Sequence, residues 1–209
     1  MKRLLKIFLV FVIMTVSIIS VSAAENKILI TYFTYGENAD FPAGIDASAS
    51  ASIQYFDNKI TGNTGLLAYM IKNTTGGDIL PILTENKYPE NYNATVNQGR
   101  AENNAKVRPK LISHIENIDE YETIFLGFPN WWYDMPMAVY SFLDEYDLSG
   151  KTIIPFNTSG GSGFSNAINT IREAEPNAQV LEGLTVGANR AVSAESTVKN
   201  WLNRLGYAD

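Results

Sequence analysis

Cysteine is absent from the 209 residues, and histidine occurs once, at His114. Without thiols the chain can form no disulfide framework, thiolate zinc site, iron-sulfur cluster, cysteine nucleophile or lipid-modified N-terminal cysteine. One imidazole cannot supply an HExxH motif or a two-histidine facial triad. No catalytic residue and no metal ligand set is therefore assigned. Positive charge is also scarce, since 16 Lys and Arg face 22 Asp and Glu for a formal net charge of −6. Such a balance argues against nucleic acid as a partner, because little here would release counterions from a phosphate backbone. What remains is 45% hydrophobic and 11% aromatic, with length enough for one sizeable core. Collagen, coiled coil and wholesale disorder are excluded.

Long apolar runs are confined to the amino terminus. Lys2, Arg3 and Lys6 precede an apolar stretch over 7–21, followed by Val21-Ser22-Ala23-Ala24, the order of a secretory signal peptide over 1–24. The stretch is short for a hydrocarbon core of roughly 30 Å. That favours cleavage at Ala23 or Ala24 and export of the unfolded chain, without stable membrane insertion, over the alternative of an uncleaved membrane anchor. Removing three basic and no acidic residues with the leader leaves 13 basic against 22 acidic, a charge of −9.

In the remaining domain, 25–209, short runs of apolar, β-branched and aromatic residues alternate with helical patterns. The runs cover 27–33, 78–82, 123–127 and 152–157, with a weaker fifth over 179–186, and they read as strands buried on both faces. Pro81 and Pro155 are expected near strand ends, where a missing donor is tolerable. Between them lie Leu66, Leu67, Met70 and Ile71; Ala138, Val139, Phe142 and Leu143; Ile168 and Ile171; and Val198, Trp201, Leu202 and Leu205. Residues 86–112 read as a helix with irregular flanks. The alternation predicts an α/β fold, a single doubly wound five-stranded parallel sheet with helices on both faces. Such a sheet binds its ligand at the carboxyl ends of its strands. One polar, Ala/Ser-rich stretch, 36–60, is too long for a minimal connection. It is expected to be an insertion loop, a mobile cover rather than part of the sheet.

Three loops carry chemical character. Thr34 ends the first strand, and after the insertion Thr61-Gly62-Asn63-Thr64 opens a helix. Helix-start amides, hydroxyls and a glycine make an anion cradle suited to a phosphate monoester, although plain capping uses the same residues. After the third strand, Gly127-Phe128-Pro129-Asn130-Trp131-Trp132-Tyr133 places three consecutive aromatics where a flat conjugated ligand could stack, unless one packs into the core. After the fourth, Asn157-Thr158-Ser159-Gly160-Gly161-Ser162-Gly163 exposes backbone donors and acceptors suited to a heterocycle edge. It is neither a nucleophile elbow nor a GxGxxG turn. His114 is expected on a solvated helix, and Asp144, Glu145 and Asp147 form an acidic cluster expected within reach of the aromatic loop.

Together these loops describe a flavin mononucleotide (FMN) site. The chain resembles the flavodoxin-like family over essentially 27–206, more specifically a bacterial branch marked here by Tyr32-Phe33-Thr34, Gly62-Asn63-Thr64, Pro129-Asn130-Trp131-Trp132 and Thr158-Ser159-Gly160-Gly161-Ser162-Gly163. The stretch from Tyr88-Pro89-Glu90-Asn91-Tyr92-Asn93 to Arg108-Pro109 is similar too. The resemblance implies that Thr34, Gly62, Asn63 and Thr64 hold the FMN phosphate. Trp131, Trp132 or Tyr133, with Pro129 and Asn130, would flank the isoalloxazine, and Thr158, Ser159, Gly160, Gly161, Ser162 and Gly163 would face its other edge. It further implies electron transfer with a redox partner protein or a small quinone-like acceptor. The alternatives are an FMN-dependent NAD(P)H:quinone-type oxidoreductase and a flavin-free binding module. No Lys or Arg occurs over 129–137 or 157–167, and soluble nicotinamide is not expected outside the cytoplasm, so electron transfer is the expectation.

Overall fold

The structure, a computed structural model, describes residues 27–41 and 53–208; the leader at 1–24 and the Ala/Ser tract at 47–52 lie outside the described residues. Among the described residues no helix is long and apolar enough to cross a membrane. The main sheet runs in the order β4 (Asp78–Pro81), β1 (Lys27–Tyr32), β5 (Tyr121–Pro129), β6 (Thr152–Ser159), with β7 (Gln179–Val180) and β8 (Leu184–Gly187) end to end along the far side of β6. Every pairing in it is parallel. The expected five-position sheet is present, its fifth strand in two pieces.

Successive residues of a strand face opposite sides. In β1, β5 and β6 both sides are apolar. Leu29, Ile124 and Ile153 face one core with α3 (Met137–Glu145) and α4 (Ala167–Ala174), whereas Ile30, Phe125 and Ile154 face another with α1 (Asn63–Thr75) and α5 (Glu195–Leu205). Trp201 of α5 is fully buried with its ring edge-on to Phe125. The fifth helix, α2 (Tyr92–Ala105), is shorter than the 86–112 pattern, starting from Asn91, whose side chain accepts from the Ala94 amide.

Pro155 departs from expectation, because it lies in the middle of β6. Ile153, two residues earlier, accepts from Leu181 on the fifth-strand side. Pro155 therefore turns its missing N–H toward that same side. The partner strand breaks there, between β7, paired to Ile153, and β8, paired from Phe156.

The 36–60 stretch also differs from a plain loop. Its described carboxyl end is a two-stranded antiparallel hairpin, β2 (Ile53–Phe56) and β3 (Lys59–Gly62), outside the main sheet. Asp57 and Asn58 both have positive φ, the requirement of a two-residue mirror-image turn. Ile53 is buried, and Phe56 stacks on Tyr69 of α1 at 4.2 Å.

At the centre of the sheet Gly127 lies under the ring of its cross-strand partner Phe156, and a Cβ there would fall 2.2 Å from a ring carbon. Gly127→Ala is expected to destabilise the protein by about 1 to 3 kcal/mol through overpacking. Adding Phe156→Leu should make the alanine less costly. Urea unfolding of the four proteins in this cycle checks both expectations.

Candidate functional site

The parallel register sets the geometry. Tyr32 pairs with Gly127, Gly127 with Phe156, and Pro129 with Thr158, so Thr34, Pro129 and Thr158 leave the sheet at one level. The α1 N-terminus joins them there through a buried hydrogen bond of 2.8 Å between the Thr64 and Thr158 hydroxyls. The helix start and the loop after β6 are thus tied together directly.

Gly62 is the N-cap of α1, in extended conformation. It contributes no side-chain cap, and the first turn holds no acidic residue. Its amides are arranged for an anion. Thr34, Thr61, Asn63 and Thr64 are all buried around it. Asn63 accepts from Gln54 Nε2 of the hairpin at 2.7 Å. The insertion does not carry Thr34 away from the cradle, because the chain folds back so closely that a Cβ on Gly36 would lie 2.0 Å from the Thr61 carbonyl oxygen.

Glu37 lies between them, a residue the sequence reading passed over. Its carboxylate accepts from the hydroxyls of Tyr32 at 2.5 Å, Thr34 at 2.6 Å and Thr61 at 3.0 Å. Burial pushes this carboxyl up, against the lowering effect of the three donors. Burial, followed by the nearby Glu37 charge, keeps the Tyr32 phenol protonated far above its ordinary range. The available signal was Thr34 followed three residues later by Glu, a capping-box spacing in which the Glu37 amide also donates to Thr34 Oγ1.

The aromatic loop is a tight reversal. Trp131 and Asp134 exchange both backbone hydrogen bonds, at 2.9 and 3.0 Å, and the intervening Trp132 and Tyr133 have φ of 54° and 63°. The three aromatics separate. Trp131 turns inward and meets Phe33 and Tyr88 edge-on at 5.4 and 5.3 Å. Trp132 is 38% exposed, with its indole N–H donating to the Val96 carbonyl and Arg100 over its ring at 3.9 Å. Tyr133 is 73% exposed.

The loop after β6 is bound to the aromatic one. The Asn130 amide donates to the Thr158 carbonyl, and the side chains of Asn130 and Asn157 both donate to the Gly163 carbonyl. Ser159 Oγ accepts from the Gly161 and Gly163 amides. Gly160, Gly161 and Ser162 face solvent. Asn157 Oδ1 is buried, with no partner among the described residues.

Other expectations change. Asp144 and Glu145 end α3, which starts beside the aromatic loop and carries them to the opposite end of the sheet; they pair with Arg108 and His114, while Asp147 accepts from the Ser149 amide. The cluster does not face the aromatic loop. His114 is exposed but lies in an irregular segment rather than a helix. The absence of Lys and Arg from 129–137 and 157–167 does not leave the site without cations, since Arg100 comes in from α2. Among the described residues no three His, Asp or Glu converge as a metal site.

A doubly wound sheet with this cradle and these loops defines a nucleotide-cofactor type of protein. The model of the flavodoxin family matches residues 52–205, and the chain belongs to that family. Among solved structures, a candidate flavoprotein from Bacteroides eggerthii is 28% identical, with a TM-score of 0.65 over 86% of this chain and 98% of its own. One from Bacteroides uniformis is 26% identical, with a TM-score of 0.64 over 85% and 98%. A flavoprotein in complex with FMN from Lactobacillus acidophilus shares the fold at 15% identity, with a TM-score of 0.58 over 82% and 99%. No curated protein matches the chain.

The separation of the two indoles has a measurable consequence. Trp131→Ala is expected to cost about 2 to 4 kcal/mol of stability, because it removes a packed ring with two edge-on partners. Trp132→Ala should cost under about 1 kcal/mol, the scale of an exposed cation-π contact. Equilibrium urea unfolding measures both, and equal losses would contradict this division of roles.

Proposed function

We propose that the protein binds FMN at the carboxyl edge of its sheet and acts in electron transfer outside the cytoplasm, as a member of the bacterial branch with the Pro-x-Trp-Trp and Gly-Gly-Ser-Gly loops. The observation that carries the reading is the convergence of the α1 start and the loops after β1, β5 and β6, with α1 joined to the β6 loop by the Thr64–Thr158 bond and the β5 loop joined to it through Asn130. The family match and the FMN complex of the Lactobacillus acidophilus relative support it.

The residues fit the cofactor. The uncapped α1 amides with Thr34, Gly62, Asn63 and Thr64 suit the phosphate. Trp132 and Tyr133 offer exposed rings for stacking, while Trp131 supports the turn from behind. The exposed backbone over 160–162 faces the place of a heterocycle edge, and among the described residues Asn157 Oδ1 is a buried acceptor without a donor. When bound, FMN supplies the redox chemistry. Neutral amides and rings, in a mature chain of charge −9, disfavour added negative charge at the site and so lower the potential of full reduction. Partners on this reading are a redox protein or a small quinone-like acceptor. The leader at 1–24 is the reason for placing the reaction outside the cytoplasm.

Arg100 favours a second reading, since a cation over Trp132 could receive a nucleotide phosphate. NAD(P)H-dependent reduction of a quinone-like substrate is that alternative.

Titrating FMN with apoprotein should quench flavin fluorescence strongly, and Trp132→Ala should weaken binding by about 1 to 3 kcal/mol, by analogy with stacking on nucleobases. Unchanged fluorescence at micromolar protein would remove the FMN reading and leave a flavin-free binding module. In stopped-flow experiments NADH and NADPH should reduce the bound flavin slowly or not at all. Reduction on the order of 10 per second, typical of enzyme turnover, would instead establish the reductase.

A further inference from the structure

The cradle offers hydroxyls and amides to an anion, yet one anion of the protein's own already holds two of those hydroxyls. Glu37 accepts from Thr34 and Thr61, which flank the Gly62-Asn63-Thr64 start of α1. Its position is held from the next residue. Asn38 is fully buried and donates to the carbonyls of Thr34 and Ile82 while accepting from the amide and hydroxyl of Thr84. Three of these four hydrogen bonds fasten the β1 loop to the β4 loop, so the Glu37 backbone cannot move off without breaking a satisfied buried amide.

Among the described residues the carboxylate has no ion pair, although the nearby Lys87 charge favours its ionised form. Tyr32 from β1 donates a hydrogen bond but stays uncharged. Tyr69 from α1 and Lys59 from β3 line a groove of about 500 Å³ that Tyr32, Gly36 and Glu37 also line. Neither has a hydrogen bond or ion pair to Glu37 among the contacts described. Lys87, from the loop after β4, donates to the Glu37 backbone carbonyl at 2.9 Å rather than to its carboxylate. A phosphate entering the cradle would meet the Glu37 charge across the shared hydroxyls of Thr34 and Thr61.

We propose that Glu37 is the charge-selecting residue of the phosphate subsite, and that FMN phosphate enters this site with the uptake of one proton by Glu37. The inference rests on the FMN reading above. Protonated, the carboxyl can donate to a phosphate oxygen; ionised, it repels one. Burial already favours the neutral form, and a phosphate charge beside the carboxyl would favour it further. Riboflavin, which lacks the phosphate, involves no such uptake.

The test compares dissociation constants of FMN and riboflavin between pH 5 and pH 8 for the wild-type apoprotein, Glu37→Gln and Tyr32→Phe. The phosphate itself gains charge over this range, so the readout is the ratio of wild type to Glu37→Gln at each pH. For FMN that ratio should rise by roughly ten- to a hundredfold from pH 5 to pH 8, the scale of a like charge a few ångströms away in a partly screened site. For riboflavin it should stay flat. Tyr32→Phe removes a donor to the carboxylate and should move the midpoint of the FMN profile to higher pH. It keeps the test open if Glu37→Gln fails to fold. Parallel FMN profiles in wild type and Glu37→Gln, or an unmoved midpoint in Tyr32→Phe, would overturn this proposal alone. Failure of the wild type to bind either flavin at any pH would overturn it together with the FMN reading.

Discussion

All strands of the main sheet run parallel, and the site depends on that constraint. Parallel pairing brings Tyr32, Gly127 and Phe156 to one level, so the loops that follow leave through one edge. An antiparallel neighbour would have carried one of them to the opposite end. The buried Thr64–Thr158 bond is a consequence of this level rather than its cause, because each threonine is delivered by its own element. The same direction rule explains the acidic residues Asp144 and Glu145. A helix returning from the carboxyl edge must end at the amino edge, where these two find Arg108 and His114.

The connection after β1 shows how an enlarged loop can remain attached to the cradle. Closing a longer loop costs little extra entropy, but its polar groups still need partners. Asn38 provides four hydrogen bonds, and Glu37 gathers three hydroxyls. The β2–β3 hairpin then returns the chain to Thr61 and braces Asn63 through Gln54. The phosphate subsite on the proposed function is therefore built from two distant pieces of chain, held by side chains in the insertion itself.

The strands, their order of alternation with helices and the loops at 129–133 and 158–163 were legible in the sequence, because buried parallel strands are apolar on both faces and glycine and aromatic runs stand out between them. The hairpin was not. Its strands are only four residues long, and Asp57-Asn58 is a turn signal that polar surroundings disguise. Pro155 was legible as a lost donor but not as the break in the neighbouring strand, since direction of the missing N–H depends on register. Arg100 was invisible for a related reason, and Glu37 showed only as a capping-box spacing after Thr34. A charged residue in a polar segment or on a helix reads as solvated, and only tertiary contact brings one under Thr34 and Thr61 and the other over Trp132.

The Trp132-Tyr133 turn holds two exposed aromatic residues at positive φ. Bulky residues at positive φ cost roughly 1 to 3 kcal/mol each, and asparagine or glycine would occupy this turn with less strain. The protein holds the aromatic pair there with the two Trp131–Asp134 backbone bonds, the indole bond to Val96, Arg100 over the ring, and the Tyr133 carbonyl accepting from the Asn166 amide. Core packing does not require it, because the indole that packs is Trp131 and the strained pair faces outward. Strain retained at exposed aromatic positions, beside a loop whose residues 160–162 face solvent, sets two rings in place before any ligand arrives. A flat cofactor seated there would find its stacking surface already ordered, and the ordering cost falls on folding rather than on binding.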